Sequence, residues 1–488
     1  MDEYIRSLLD ESARQGRCPL DQQPAAERRP LGPREIVDRL ALSAGARQRE
    51  FVEALIAAVP PSAAASSTLP EPPASIQQGG FRNYPTPYEP TFGCVDAEPP
   101  CDTRYIGVPG HFGALPYLRG VRGTGRRMII ALHGSDLPGW RRHPAWAIYN
   151  YAANAANDIW GDDYVIIAPI FQKTDYKPYS MLMPWIWYWS PNRPYGHGNR
   201  ADRFDPCHYL IEAAGLSIAE LADCTRVDRR EIAARLAIGG YTGRPSSFQV
   251  LDALIRHEVA MHTPELEYVC IVGHSHGGQA VQRYALLDRG ITDHVRQATG
   301  KPLRYVAMNA GSYAYLIEQR WITPPARSVG CAPPTDDPRT AFWTYPTACD
   351  GYDDWPQGLG ASEAAEARGV PLEQARQHAI ARYPLGPVSL RTALAHNFAN
   401  QDVHILQSVL DDDLIGPGGA CPSFQQGCSR LQRMRLFRES LYLVLPDQLH
   451  EKMRIIAGNC RAIDATRRHS GFSMFRNPTV RSVIFGPG

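Results

Sequence analysis

The strongest constraint on this chain is a change of periodicity across six residues. Tyr268 to Val272 is a short apolar run rich in β-branched residues and bounded by Gly273, which reads as a buried strand. From Gly278 onward, Ala280, Val281, Tyr284, Ala285 and Leu287 recur at helical spacing. Between the two lies Gly273-His274-Ser275-His276-Gly277-Gly278. A turn that tight forces its central residue into a strained backbone conformation that only small neighbours tolerate, which accounts for Gly273 and Gly277. It also lifts the Ser275 hydroxyl clear of the sheet. The N–H of His276 then faces the same space from a helix N-terminus, where the peptide dipoles favour negative charge. A glycine-rich turn that only packs, or that binds a phosphate, would use the same glycines; the order strand, turn, helix favours an activated serine.

Short apolar runs and helical patterns alternate on both sides of this turn. Arg127 to Leu132, Tyr164 to Ala168 and Arg304 to Met308 read as strands, with further candidates at Val388 to Ala395 and, last, Met453 to Ala457. Trp146 to Ile159, Phe248 to His262, Ser362 to Arg382 and Arg430 to Leu443 read as helices. Strands apolar on both faces and separated by helices specify an α/β fold, a mostly parallel central sheet with helices on both sides. Residues 1–80 are expected to form a helical segment followed by a Pro/Ala/Ser linker, and 81–488 the main domain. A cap is expected around 176–244 and a loop-rich insertion around 321–384.

The composition excludes several classes of function. A formal net charge of +1 over 488 residues gives no reason to expect nucleic acid or an anionic membrane surface as partner. No apolar run approaches the roughly 18 residues needed to cross a bilayer, and the acidic N-terminus lacks the apolar stretch of a standard secretory signal. Cysteine usage points the other way. Eight of the 11 cysteines fall in close pairs, Cys94 with Cys101, Cys207 with Cys224, Cys331 with Cys349 and Cys421 with Cys428, each in a Pro-, Gly- or Asp-rich loop. Such spacing suits disulfides and an oxidising location reached by a non-standard route; reduced thiols and a cytoplasmic location are the alternative. Zinc-ligand spacing is absent, so no metal or cofactor is expected.

A serine hydroxyl is a poor nucleophile near pH 7 and needs a base within hydrogen-bond reach, itself oriented by an acid. In a sheet of this kind the chain order is serine, acid, histidine, with the acid after a late strand and the histidine after the last. The loop after Val388 to Ala395 supplies Asp402, while Asp411, Asp412 and Asp413 farther on read as a solvated acidic turn. The loop after Met453 to Ala457 supplies His469, whereas His450 precedes that run and would lie at the wrong end of the sheet. The expected catalytic set is therefore Ser275, Asp402 and His469. His133-Gly134-Ser135, ending an early strand, supplies a second oxyanion donor, so the oxyanion hole is expected from His276, Ser135 and Gly134. His274, with Trp185, Trp187, Tyr188 and Trp189 from an aromatic loop, is expected to line a substrate pocket.

With Leu132-His133-Gly134, Ala168-Pro169, the turn at 273–277, Asp402 and the segment His469-Ser-Gly-Phe-Ser-Met-Phe-Arg-Asn-Pro in place, the chain resembles the α/β-hydrolase family of serine esterases and lipases over roughly residues 100–488. The resemblance implies the α/β-hydrolase fold and cleavage of a small-molecule or polymeric carboxylic ester. The same fold also serves peptidases, amidases, acyltransferases and non-catalytic binding scaffolds.

Overall fold

The computed structural model describes residues 101–486 apart from 109–114, 135–143, 174–186, 190–193, 202–243, 263, 323–341, 347–348, 384, 413–421, 423–424 and 445–446. The expected N-terminal segment, most of the cap, Ser135 and Trp185 lie outside the described residues.

Eight strands form the central sheet: β1 (Asp102–Ile106), β2 (Leu115–Arg122), β3 (Arg127–Leu132), β4 (Tyr164–Pro169), β5 (Tyr268–His274), β6 (Arg304–Met308), β7 (Asp402–Ser408) and β8 (Cys460–Ile463). Their order is β1-β2-β4-β3-β5-β6-β7-β8. Only β2 runs against its neighbours β1 and β4; the remaining pairs are parallel. A mostly parallel sheet in this order, with the strand-turn-helix at its centre, is the α/β-hydrolase fold.

Alternation along each strand feeds two cores, one on each face. Met128, Ile130 and Leu132 join Val269 and Ile271 under the helices α2 (Ser247–His262), α3 (His276–Leu286) and α4 (Ile291–Thr299). Ile129 and Ala131 point to the other face, with Cys270, Val272, Val306 and Met308, under α1 (Pro144–Trp160). Both faces are apolar, as a covered parallel sheet requires. The expected helix at Ser362 to Arg382 is two helices, α5 (Ser362–Ala367) and α6 (Leu372–Arg382), separated by a break that contains Gly369 at φ +83 and Pro371.

The two C-terminal strand expectations are corrected. Val388 to Ala395 lies mostly in a helix, α7 (Leu390–Ala399), because Ser389 caps it by accepting a hydrogen bond from the Thr392 N–H at 3.1 Å. Met453 to Ala457 falls inside α9 (His450–Gly458), which follows α8 (Arg430–Leu441). Met453, Ile456 and Ala457 are buried while Ile455 is exposed, which is a helical and not an alternating pattern. The strands that these segments were expected to form come later, as β7 and β8. The chain then closes with two short helices, α10 (Gly471–Arg476) and α11 (Pro478–Phe485), which pack with α1.

Cys101, Cys349 and Cys428 are disulfide-bonded, and Cys94, Cys331 and Cys421, their expected partners, lie outside the described residues. Cys270 and Cys460 are free and buried. Among the described residues no helix is long and apolar enough to cross a membrane.

Candidate active site

β5 ends at His274 and α3 begins at His276, so Ser275 alone makes the turn between them. Its backbone sits at φ 58, ψ −114, a conformation that costs a non-glycine residue on the order of 1–3 kcal/mol. Two hydrogen bonds hold it there. The Ser275 N–H donates to the Met308 carbonyl at the end of β6 at 2.9 Å, and the Ser275 carbonyl accepts the first bond of α3 from the Gln279 N–H at 3.1 Å. A Cβ on Gly273 would run into the Gly277 backbone, and one on Gly277 into the Leu132 carbonyl. The glycines on either side of the serine are thus required by close backbone packing.

His469 approaches from the loop between β8 and α10. Its Nε2 lies 2.8 Å from Ser275 Oγ, and its Nδ1 lies 2.7 Å from Asp411 Oδ2. Asp411 follows β7 by three residues, and its side chain is 1% exposed. A buried carboxylate needs its remaining lone pairs satisfied. Gln407 Nε2 donates to Oδ2 at 2.8 Å and Arg430 donates to Oδ1 at 3.2 Å, while the Leu431 N–H fixes the Asp411 carbonyl at 3.1 Å. With the carboxylate accepting from Nδ1–H, Nε2 is the ring's accepting nitrogen, and the serine hydroxyl can donate to it.

Asp402 stands elsewhere, and the expectation that it would orient the histidine is corrected. It is the first residue of β7, at the strand's N-terminal end, whereas Ser275, Asp411 and His469 all follow C-terminal ends. Asp402 accepts from Arg304 Nε at 2.7 Å and pairs with His404 at 2.9 Å. Burial alone would raise its pKa, but the hydrogen bonds from His404 and Arg304 and the Arg304 charge outweigh burial and hold it below the usual carboxylate value. It is a structural ion pair at the opposite ends of the strands, between the first residues of β6 and β7.

The His133-Gly134 turn faces the serine. A Cβ on Gly134 would stand 3.2 Å from Ser275 Cβ, so the glycine lets the β3 loop close over Ser275. The His133 ring is itself a strut. Its Nε2 accepts from the Phe171 N–H at 3.2 Å, which leaves Nδ1–H to donate to the Gly134 carbonyl at 2.7 Å. Tyr195 donates to the His133 carbonyl and lies edge-on to the His276 ring at 4.8 Å. His276 Nε2 in turn accepts from the Gly196 N–H at 3.1 Å.

Two of the aromatic residues expected in the pocket wall have a different place. Trp187 and Trp189 are 2% and 1% exposed and belong to the core. Trp189 meets Phe171 edge-on at 5.0 Å, and Phe171 stacks on Tyr195 at 4.2 Å with the rings 2° from parallel. The aromatic segment therefore builds a pillar behind the His133-Gly134 turn. Tyr188 is half-buried in a short bridge to Gln172. His274 does face the site, its ring 5.0 Å from that of His469.

Sequence reasoning set Asp411 aside as part of a solvated turn and missed Gln407, Arg430 and Asn309. A strand reading of Asp402 to Ser408, whose core is Val-His-Ile-Leu, would have moved the search for the acid to Asp411.

No family model matches the chain, and no curated protein matches it. Among solved structures it is similar to a poly(aspartic acid) hydrolase from Sphingomonas sp. KT-1, at 16% identity and TM-score 0.38, with 79% of this chain and 98% of that chain covered. It is also similar to a poly(3-hydroxybutyrate) depolymerase, LpqC, from Bordetella parapertussis, at 14% identity and TM-score 0.37, covering 79% and 90%. A thioesterase domain from the curacin biosynthetic pathway matches at 10% identity and TM-score 0.27, covering 79% and 99%.

Proposed function

We propose that this protein is a serine hydrolase that cleaves a carboxylic ester through an acyl-enzyme intermediate. One observation carries the reading: the unbroken chain Ser275 Oγ to His469 Nε2 at 2.8 Å and His469 Nδ1 to Asp411 Oδ2 at 2.7 Å, mounted on a strained serine turn. A packing turn has no need for a strained serine, a base at its hydroxyl and a buried acid behind the base.

In this mechanism Ser275 Oγ attacks the ester carbonyl as its proton passes to His469 Nε2. The imidazolium that forms is stabilised by Asp411, which accepts from its Nδ1–H. The His276 N–H at the start of α3, with the backbone N–H groups of Gly134 and Ser135, stabilises the tetrahedral oxyanion. Collapse of that intermediate breaks the bond to the leaving alcohol, which takes the proton from His469. Water, deprotonated by His469, then attacks the acyl-enzyme and releases the acid with Ser275 regenerated.

The test is a fluorophosphonate probe read by mass spectrometry, together with turnover of aryl esters of increasing acyl length. Labelling confined to Ser275, with ester turnover lost in Ser275→Ala, is expected. A folded protein that the probe leaves unlabelled overturns the reading in favour of a binding scaffold. Transfer of the acyl group to an added alcohol in preference to water would make the enzyme an acyltransferase.

A further inference from the structure

His274 ends β5 one position before the nucleophile, and its protonation can be read from a backbone donor. The Ser408 N–H donates to Asn309 Oδ1 at 2.8 Å, and Gln407 Nε2 donates to the same oxygen at 3.3 Å. A backbone N–H can only donate, so the oxygen of the Asn309 amide is fixed on that side. Its nitrogen therefore faces His274 Nε2, 3.3 Å away. An amide nitrogen also can only donate, so Nε2 must offer a lone pair, and the single proton of the neutral ring is on Nδ1.

Asn309 is held firmly in this role. It is fully buried, its own N–H donates to the Leu406 carbonyl at 2.9 Å, and its backbone is left-handed at φ 47, a region that asparagine tolerates better than most residues. His274 Nδ1 then opens between two glycines. A Cβ on Gly134 would stand 3.8 Å from it, and one on Gly471 3.5 Å. Among the described residues the ring's hydrogen bond is the one at Nε2, and nothing accepts from Nδ1. Burial, followed by the charges of His469 and Arg430, lowers the His274 pKa to about 3, so near neutral pH the ring is an uncharged donor.

We propose that His274 Nδ1–H donates a hydrogen bond to an oxygen of the acyl substrate beside Ser275, and that Asn309 is the positioning residue that holds the ring in the required tautomer. The proposal rests on the serine-hydrolase reading. It gives the site a side-chain donor besides the backbone ones, placed where the two glycines leave room for substrate.

Three variants test it. Asparagine carries its amide nitrogen near the position of Nδ1, and glutamine near that of Nε2. His274→Asn is expected to retain kcat within about fivefold, and His274→Gln to lose roughly 10- to 100-fold with little change in KM. Asn309→Asp keeps the shape but turns the donor into an acceptor, which moves the His274 proton to Nε2. It should lower kcat to a similar extent, and the ¹⁵N shifts of the His274 ring should exchange between the two nitrogens. Equal kcat in His274→Asn and His274→Gln overturns the proposal, as does a wild-type His274 protonated on Nε2. Should either His274 variant melt well below the wild type, the Asn309→Asp pair of kinetics and ring shifts decides alone. Probe labelling of Ser275 in every variant separates failure of this inference from failure of the hydrolase reading, which would abolish labelling throughout.

Discussion

The two halves of the site are positioned by different physics. Ser275 is placed locally: eleven residues from β5 into α3, three glycines and one strained residue determine where its hydroxyl points. Asp411 and His469 are placed by distant parts of the chain. Asp411 is buried by Arg430 and Leu431, about twenty residues further on, and His469 depends on where β8 ends and α10 begins. A serine placed by local strain can be read from a short motif. Partners that depend on strand ends move with every shift in those ends.

The largest effects fall on the pair that meets across this divide. Ser275→Ala and His469→Ala should each lower kcat by several orders of magnitude, on the order of 10⁶ by comparison with other serine hydrolase triads, with the melting temperature nearly unchanged. Retention of more than a few per cent of turnover in either variant would mean that the 2.8 Å contact between them is not used.

The acid breaks the comparison most cleanly, because two aspartates of the same sheet strand region compete for it. Asp411→Asn leaves the histidine without the carboxylate that selects its tautomer and should lower kcat on the order of 10⁴. Asp402→Asn disrupts the bond to Arg304 at the other end of β7 and should keep kcat within about twofold while costing about 1 kcal/mol or less, since that pair is a quarter exposed. The reverse ranking would put the acid back at the start of the strand.

Which of the two was legible follows from the same division. The elbow, β3, β4 and β6 carry their periodicity within a few residues, so the centre of the sheet and the serine could be read directly. Val388 to Ala395 mixes Val, Leu and Ala with polar residues in a way that fits either period. What decides it is the Ser389 cap and the burial of Asn397, whose amide donates to the Leu286 and Asp288 carbonyls more than a hundred residues away. Placing a strand one element too early moved the expected acid to Asp402, whereas the same rule applied to the true end of β7 leads to the proposed acid, Asp411. The three consecutive aspartates at 411–413 look alike in sequence, and what marks out Asp411 are its hydrogen bonds with Gln407, Arg430 and His469, from β7, α8 and the loop before α10. His469 still lies beside Ser275, because β8 follows α9 immediately and leads into the same loop.

The strain at the elbow can be tested on its own terms. Gly277→Ala would push a methyl group into the Leu132 carbonyl of the neighbouring strand, where backbone and not a flexible side chain must give way. We expect a loss of at least about 3 kcal/mol in chemical denaturation, or failure to accumulate folded protein. Gly458→Ala is the control, since a Cβ there meets nothing within 4 Å, and it should leave stability unchanged or slightly raised. Similar stabilities for the two variants would show that the turn is looser than its geometry implies.

The smallest effect concerns pH, and it joins the two halves through His274, which ends β5 just before Ser275 and lies against the His469 ring. Burial and the charges of His469 and Arg430 place its folded-state pKa at about 3, below the ordinary value of 6.5. Between those two values the unfolded chain binds a proton at this position and the folded one does not. Stability contributed by the neutral ring is therefore complete above about pH 6.5 and falls as the pH drops, by at most about 1.4 kcal/mol per pH unit. His197 and His262, whose pKa values burial also lowers, slope the curve in the same direction, so the wild type alone does not isolate the effect. The difference between wild type and His274→Asn does, because the other histidines are common to both. Urea titrations at pH 7 and pH 5 should show the wild type losing up to about 2 kcal/mol more than the variant over that interval. Parallel losses would mean that the folded site accepts a proton at His274 after all. The Asn309 lock on its Nε2 would then be broken at mildly acid pH, and the elbow would be less independent of its surroundings than its local geometry suggests.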